Sequence, residues 1–135
     1  MARKVGIVGA VFAMLALTVA VTTAGSPHFI ASATTKSTSG NTLTVSGKEA
    51  GLGDESQIQV QVTATASCIN PGDKHPKAAN KESVSATGTF PVQNGKADFT
   101  LTATATFQPD CTPPMTVAWS NILITDLTNG ISIDP

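Results

Sequence analysis

An unbroken alternation from Gln57 to Cys68 constrains the fold of this chain more than any other feature. Apolar side chains occupy every second position: Ile58, Val60, Val62, Ala64, Ala66 and Cys68. Successive side chains of a strand point to opposite faces of a sheet, so the pattern predicts a strand with one buried and one exposed face. Because it ends on one of only two cysteines, we expect this strand to be central in its sheet and to carry a covalent cross-link.

Shorter alternating segments, separated by turn residues, fill the rest of the chain after Pro27. The longest of them has Ala97, Phe99, Leu101, Ala103, Ala105 and Phe107 pointing inward. Asn94-Gly95 before it predicts a hairpin, since a type I′ turn needs positive φ at both positions. Pro91 indicates an edge strand, because proline cannot donate to a sheet ladder. A one-residue slip of the pattern at Ser120-Asn121 predicts a β-bulge.

Six or seven strands and no segment of helical periodicity predict an all-β fold. We expect an antiparallel, immunoglobulin-like β-sandwich with one disulfide. Residues 29–34 and 43–45 are predicted to form a hairpin, and Gly47 to Ser56 a charged loop. The single tryptophan, Trp119, is predicted to be buried. It follows both cysteines, whereas in antibody domains the tryptophan lies between them, so antibody-type topology is not expected.

The N-terminus has the three parts of a secretory signal peptide. Arg3 and Lys4 form a basic start, an uncharged, mostly apolar run extends from Val5 to Val21, and Thr22-Thr23-Ala24 supplies small residues for cleavage. We expect residues 1–24 to be the signal peptide and residues 25–135 to be one secreted domain. The alternative is a membrane anchor, for which 17 residues are at the short end.

The charge of the expected mature chain excludes one class of partner. Arg3 is the only arginine, so the mature chain has none, and its six lysines against nine carboxylates give a net charge of −3. Nucleic-acid binders present basic surfaces rich in arginine and lysine. We therefore expect no nucleic-acid partner, and no membrane association once the signal peptide is removed.

Two cysteines in an exported chain indicate a disulfide, because the compartment is oxidising. We expect a bond between Cys68 and Cys111. The alternative, a catalytic or metal-binding thiol, has no CxxC motif and no nearby histidine to support it.

A long polar insertion from Ile69 to Ser83 is the candidate partner-binding loop. Lys74, His75, Lys77 and Lys81 place half of the mature lysines within eight residues. Exposed loops on a rigid scaffold often carry function, and a local basic patch can recruit an anionic polymer or an acidic protein. The alternative is a loop that serves only solubility.

Catalytic motifs are sparse. His28 and His75 are the only histidines, and either could assist a serine hydrolase, but no serine has the glycine pattern of a nucleophile elbow. We therefore predict no catalytic residues and no cofactor, and a secreted enzyme is the less favoured alternative.

Two further groups of polar residues are candidate binding sites. Glu49, Asp54 and Glu55 are a weak calcium candidate, but their spacing does not match a calcium-loop motif, and a solvated acidic loop is the preferred interpretation. The outward threonines at 100, 102, 104 and 106 could form a regular glycan-binding or ice-binding array. Threonine is also simply a good strand residue on an exposed face, which is the preferred interpretation.

Several phrases of the chain resemble known secreted proteins. SPHFIASA, SGKEAGLGD, HPKAANKE and ILITDLTNG resemble a group of small secreted actinobacterial β-sandwich proteins across essentially the whole mature chain. This resemblance implies export and the fold, and it carries over no catalytic residue. LTVSGKEAGLG and NGKADFTLT are similar to the pattern of neocarzinostatin-type apoproteins, which implies an immunoglobulin-like carrier of a small apolar ligand. Those proteins have two disulfides, and this chain can have only one.

The function expected from the sequence is that of a secreted, non-enzymatic binding or structural module. Its partner would be an extracellular protein or an anionic cell-wall polymer, contacted through the loop from Ile69 to Ser83. The alternative is a carrier of a small apolar ligand.

Overall fold

The structure is a computed structural model that describes residues 25–72 and 80–135. The expected signal peptide, residues 1–24, lies outside the described residues. The described part contains eight strands and one short 3-10 turn, at Ala31–Ala33. The strands are β1 (His28–Phe29), β2 (Thr35–Ser39), β3 (Thr42–Ala50), β4 (Gln57–Ile69), β5 (Lys81–Pro91), β6 (Ala97–Thr104), β7 (Thr116–Asp126) and β8 (Ile131–Ile133).

Two antiparallel sheets pack face to face and form a β-sandwich. In the first sheet β3 is central, with β1 and β2 along one edge and β6 along the other. The second sheet has the order β5-β4-β7-β8. The prediction that the strand from Gln57 would be central is confirmed, because β4 pairs with both β5 and β7. The predicted all-β fold is likewise confirmed.

Alternation along β4 and β6 produces the core between the sheets. All six predicted inward residues of β4, and all six from Ala97 to Phe107, are buried. Leu43 and Val45 of β3, Leu52 of the segment before β4 and Ile124 of β7 also belong to this core. Each fully buried aliphatic side chain of this size contributes about 1.5–3 kcal/mol relative to an exposed one, so the two faces that the alternation defines hold the sandwich together.

The aromatic side chains lie towards the two ends of the sandwich. Phe99 contacts Phe29 edge to face with ring centroids 5.9 Å apart, and Phe90 at 6.2 Å. Phe107 packs near the other end with Ala66 and Cys68. Phe99 lies directly over Gly47, where an added Cβ would be only 2.5 Å from its ring. Glycine at position 47 is therefore what allows the ring to approach β3.

The local turn and edge signals were correct. Asn94 and Gly95 both have positive φ, at 55° and 75°, and form a tight two-residue turn closed by a bridge between Gln93 and Lys96. The strands that this turn joins, β5 and β6, pair in different sheets. β5, which ends at Pro91, is an edge strand. The register between β4 and β7 shifts between Thr63 and Thr65, opposite Ser120-Asn121, where Asn121 has φ 53°. The predicted bulge is thus confirmed.

Four predictions need correction. The predicted hairpin of residues 29–34 and 43–45 is displaced, because Ala31–Ala33 is a 3-10 turn and the strand that forms the hairpin with β3 is β2. The described residues form eight strands instead of six or seven, since the short strand β8 and the division of the first strand into β1 and β2 were not predicted. The segment assigned to a loop from Gly47 begins as strand, since β3 continues to Ala50 in register with β6. Trp119 is only half-buried, and its Nε1 donates to the carbonyl oxygen of Gly40 at 3.2 Å. An indole at the sandwich margin can satisfy its N–H in this way while its ring remains packed.

Candidate functional site

The disulfide between Cys68 and Cys111 defines one end of the sandwich, called here the disulfide end. Its two Cα atoms are 5.8 Å apart, and the bond attaches the loop between β6 and β7 to the end of β4. The predicted pairing is therefore confirmed. Met115 Sδ lies 3.7 Å from Cys68 Sγ. This is a packing contact, because a disulfide sulfur carries no proton to donate.

A cleft of about 600 Å³ opens at the disulfide end. Its apolar wall consists of Ala105, Phe107, Pro113, Met115 and Val117, and polar side chains of Asn41, Thr106, Asp110, Thr112 and Thr116 line the rest. Clefts of roughly 300–1,000 Å³ with an apolar wall and a few polar groups are typical of ligand sites. The geometry thus suits a small molecule or a protruding side chain of a partner.

Hydrogen bonds and the cross-link fix the walls of this cleft. Asn41 Nδ2 donates to the carbonyl oxygen of Ala105 at 3.0 Å, and the Ala105 amide donates to the carbonyl oxygen of Asn41 at 2.8 Å. The Met115 amide donates to the carbonyl oxygen of Thr112 at 2.9 Å. Cys111, on the opposite side, is attached to β4 by the disulfide. The cleft is therefore preformed by backbone contacts, which lowers the entropic cost of binding.

The loop from Ile69 to Ser83 leaves the sandwich at this same end. Ile69 pairs with Thr116, which lines the cleft, and Lys81 pairs with Ser67, one residue before Cys68. Lys81 is exposed as the first residue of β5. The other predicted members of the partner-binding loop, Lys74, His75 and Lys77, lie outside the described residues. Of the four predicted residues, only Lys81 is described, and it lies in β5 at the disulfide end instead of in a loop.

The weak calcium candidate is not assembled as one site. Asp54 is exposed and Glu55 is half-buried, whereas Glu49 is fully buried on β3. Across residues 25–72 and 80–135, no three His, Cys, Asp or Glu side chains are arranged to hold a metal ion. The interpretation of Glu49 as part of a solvated loop is wrong. The Glu49 side chain points inward, on the same face of β3 as Leu43, Val45 and Gly47.

Glu49 instead meets a second buried acid from the other sheet. Asp126, the last residue of β7, is also fully buried, and the two carboxyl groups are within hydrogen-bonding reach of each other. This pair defines the acid-pair end of the sandwich. Val60 pairs with Asp126 and Cys68 lies eight residues further along β4, so the two ends are about 26 Å apart at the rise of an extended strand.

Asp126 is held as a carboxylate by the turn that follows it. Its Oδ1 accepts bonds from the amides of Thr128 at 2.8 Å and Asn129 at 3.1 Å, and its Oδ2 accepts one from Asn129 Nδ2 at 2.7 Å. Burial by itself raises the pKa of Asp126, but the bonds from Glu49, Asn129 and Thr128 outweigh it and hold the pKa below its usual value.

Glu49 has the opposite environment. Neither of its carboxyl oxygens receives a bond from an N–H or O–H donor among the described residues. Burial, the hydrogen bond with Asp126 and the negative charges of Asp126 and Glu55 raise the pKa of Glu49 to about 9. Glu49 is therefore the protonated member of the pair at neutral pH. Two adjacent carboxyl groups out of water share a proton for the same reason in many enzymes.

The sequence contained a signal for this pair that the prediction missed. Asp126 follows Ile122 and Ile124 on the inward face of β7, and Glu49 follows Leu43 and Val45 on that of β3. An acidic residue in line with the buried side chains of a strand is uncommon. It indicates a nearby group that bonds to the carboxyl group or neutralises its charge. Only the packing of the two sheets shows that Glu49 and Asp126 lie next to each other.

The remaining predicted residues lie on the surface. His28 is exposed on β1, and its Nδ1 donates to the carbonyl oxygen of Ser26 at 2.8 Å. The threonines at 100, 102 and 104 are exposed on the outer face of β6, whereas Thr106 lies beyond the strand. The hydroxyl groups of Thr100 and Thr102 pair with those of Ser46 and Thr44 at 3.1 and 3.2 Å. This outer face is therefore a hydroxyl ladder whose members partly satisfy each other.

Comparison of the chain with protein-family models, with curated proteins and with solved structures gave no match. Within the described ranges, no helix is long and apolar enough to span a membrane.

Proposed function

We propose that this chain is an exported, non-enzymatic binding module that contacts its partner with the disulfide end of the sandwich. The observation that carries the proposal is the preformed cleft of about 600 Å³, located where the lysine-rich loop leaves β4. A rigid scaffold with one recess and one adjoining loop is a common arrangement for recognition. The partner is an extracellular anionic polymer or an acidic protein surface.

Export is part of the proposal and is supported by the N-terminal pattern and by the disulfide. The mature chain begins at Gly25, after removal of residues 1–24. We also infer that the sandwich is immunoglobulin-like. In immunoglobulin domains the second strand pairs with the first and the fifth, and the third pairs with the sixth. The pairing of β3 with β1, β2 and β6, and of β4 with β7, fits that arrangement if β1 and β2 count as one interrupted strand.

The contribution of the loop is electrostatic and is tested by charge reversal. The triple variant K74E/K77E/K81E should lose retention on isolated bacterial cell walls that carry anionic polymer. The parent should be retained at 0.1 M salt and released towards 1 M, because the Debye length falls from about 10 Å to about 3 Å. Retention is measured as the fraction of protein that sediments with the walls.

The chain offers a matched control with the same change of net charge. K36E/K48E/K96E reverses the other three lysines of the mature chain, which lie on β2, on β3 and in the turn before β6. Lys48 pairs with Asp98 at 3.5 Å on the surface, and such exposed pairs contribute little to stability. The control should be retained more strongly than the loop variant. Equal retention of the two variants, or no retention of the parent at low salt, contradicts the proposal.

A second candidate, carriage of a small apolar ligand, is favoured by the wall of Phe107, Met115 and Val117 in the same cleft. Native mass spectrometry of protein purified from culture medium distinguishes the two. A mass above that of residues 25–135 with one disulfide, which returns to the protein mass on denaturation, supports a carrier. A clean apoprotein mass leaves the partner-binding module as the function.

A further inference from the structure

The acid pair of Glu49 and Asp126 joins the two sheets at the end opposite the cleft. Glu49 belongs to β3 in the first sheet and Asp126 to β7 in the second, and neither side chain is exposed to solvent. If both groups were ionised, two negative charges would be buried next to each other between the sheets. A proton between the two carboxyl groups removes one charge and makes one hydrogen bond.

Other polar groups around the pair fix where that proton lies. Asp126 already accepts three N–H bonds from the turn after β7, which favours its ionised form. Glu49 accepts none from the described residues, so its protonated form can donate to Asp126. Asn129 Nδ2 also donates to Glu55 Oε1 at 3.1 Å and so connects the loop before β4 to the same cluster.

No cation among the described neighbours replaces the proton. The strand partners of Glu49 are Phe29 on β1 and Ala97 on β6, and the partner of Asp126 on β8 is Ile131. The charged group that faces the pair from the loop before β4 is Glu55, which adds repulsion. Lys48 precedes Glu49 but faces outward, towards Asp98.

We propose that Glu49 and Asp126 share one proton, which holds the two sheets together at this end in a pH-dependent way. Loss of this proton to alkaline solvent leaves two adjacent buried carboxylates, and their repulsion separates β3 from the end of β7. The turn at residues 127–130 and the loop at residues 51–56 then loosen, while the disulfide end remains closed by its cross-link. This shared proton is independent of the binding function proposed above.

The direction of the pH effect follows from proton linkage. Glu49 keeps its proton in the folded chain up to a pKa of about 9 but loses it near 4.5 when unfolded. Unfolding between these values releases one proton, so the unfolding equilibrium constant rises about tenfold per pH unit in that window. The stabilisation is therefore complete below about pH 4.5 and is lost as the pH rises towards 9. Asp126 acts in the opposite direction, and its stabilisation is lost as the pH falls below the usual range of an aspartate.

The decisive comparison is between the parent and Glu49→Gln, whose amide can still donate to Asp126 but does not titrate. Urea unfolding of both proteins at pH 5, 6, 7 and 8 gives the ratio of their unfolding constants, in which the titration of all other groups cancels. We expect this ratio to change by about tenfold per pH unit. Asp54→Asn removes an exposed carboxyl group from the adjoining loop and should leave the pH dependence of the parent unchanged.

A second measurement keeps the inference testable if Glu49→Gln does not fold. The side-chain carboxyl carbon of Glu49 in the parent, observed by ¹³C NMR, should titrate several pH units above that of an exposed glutamate. The amide resonances of Thr128 and Asn129 should shift with the same midpoint, and that of Ala105 at the disulfide end should not. A Glu49 midpoint near 4.5, or a ratio of unfolding constants that is independent of pH, overturns the proposal.

Discussion

Reduction of the disulfide provides the most direct test of how the disulfide end is held together. The bond joins residues 43 apart, from the end of β4 to the loop after β6. In the chain-entropy account, a closed loop of this length restricts the unfolded chain by about 4 kcal/mol. We therefore expect the free energy of unfolding to fall by about 4 kcal/mol when Cys68 and Cys111 are reduced.

Urea unfolding followed by tryptophan fluorescence measures this loss. Trp119 is the only tryptophan, and it packs against the cluster that contains Cys68. With a urea m-value of about 1–3 kcal/mol per molar, the midpoint should fall by roughly 1 to 4 M. The m-value should also rise, because the reduced unfolded chain exposes more surface.

The variant C68A/C111A separates the cross-link from the packing of the sulfur atoms. Cys68 is 5% exposed, so its replacement by alanine removes buried contacts in addition to the bond. The variant should be less stable than the reduced parent, which retains both sulfur atoms. A loss on reduction of under about 1 kcal/mol would refute the entropic reasoning, since the bond would then restrict the unfolded chain very little.

Two glycine substitutions test the packing against β3 and the turn between β5 and β6 separately. Gly47→Ala should cost about 1–3 kcal/mol of unfolding free energy, because the new Cβ would lie 2.5 Å from the Phe99 ring. In a double-mutant cycle with Phe99→Leu, a non-additive recovery measured by urea unfolding is expected, and additive losses would contradict the contact. Gly95→Ala should cost about 1–2 kcal/mol, because φ is +75° there while the nearest atom is an unstrained 3.5 Å away. Gly95→Asn, which tolerates this conformation better, should recover part of that loss in thermal unfolding, and equal losses would exclude backbone strain as the cause.

Much of the fold was predictable because its signals are local. The inward residues of β4 and β6, the turn at Asn94-Gly95 and the bulge near Asn121 each follow from a few neighbouring residues. Backbone geometry alone fixes which side chains of a strand share a face and which residues accept a positive φ. The short strand β8 was missed, since three residues are too few to show a period. The first strand was predicted at residues 29–34, where the structure has β1 and a 3-10 turn, and β2 follows them.

The candidate sites were less predictable because they combine distant segments. The cleft at the disulfide end is lined by the turn before β3, the segment after β6 and the start of β7. The sequence identified the cysteines and the adjoining loop, and its small mid-strand alanines left room for a cleft, but it did not indicate which segments would line one. A cavity depends on how two sheets are aligned, which no single segment encodes.

The sequence by itself determined that this chain forms strands, which face of each strand is buried, and that two cysteines are available to cross-link it. Only the tertiary structure decided that Glu49 and Asp126, 77 positions apart, place two carboxyl groups together in the interior. The physical reason is that the two kinds of interaction act over different separations along the chain. Alternation and turn geometry act between neighbouring residues, whereas desolvation and charge repulsion depend on every group that the fold brings near. The proton on Glu49 is therefore a property of the packed sheets.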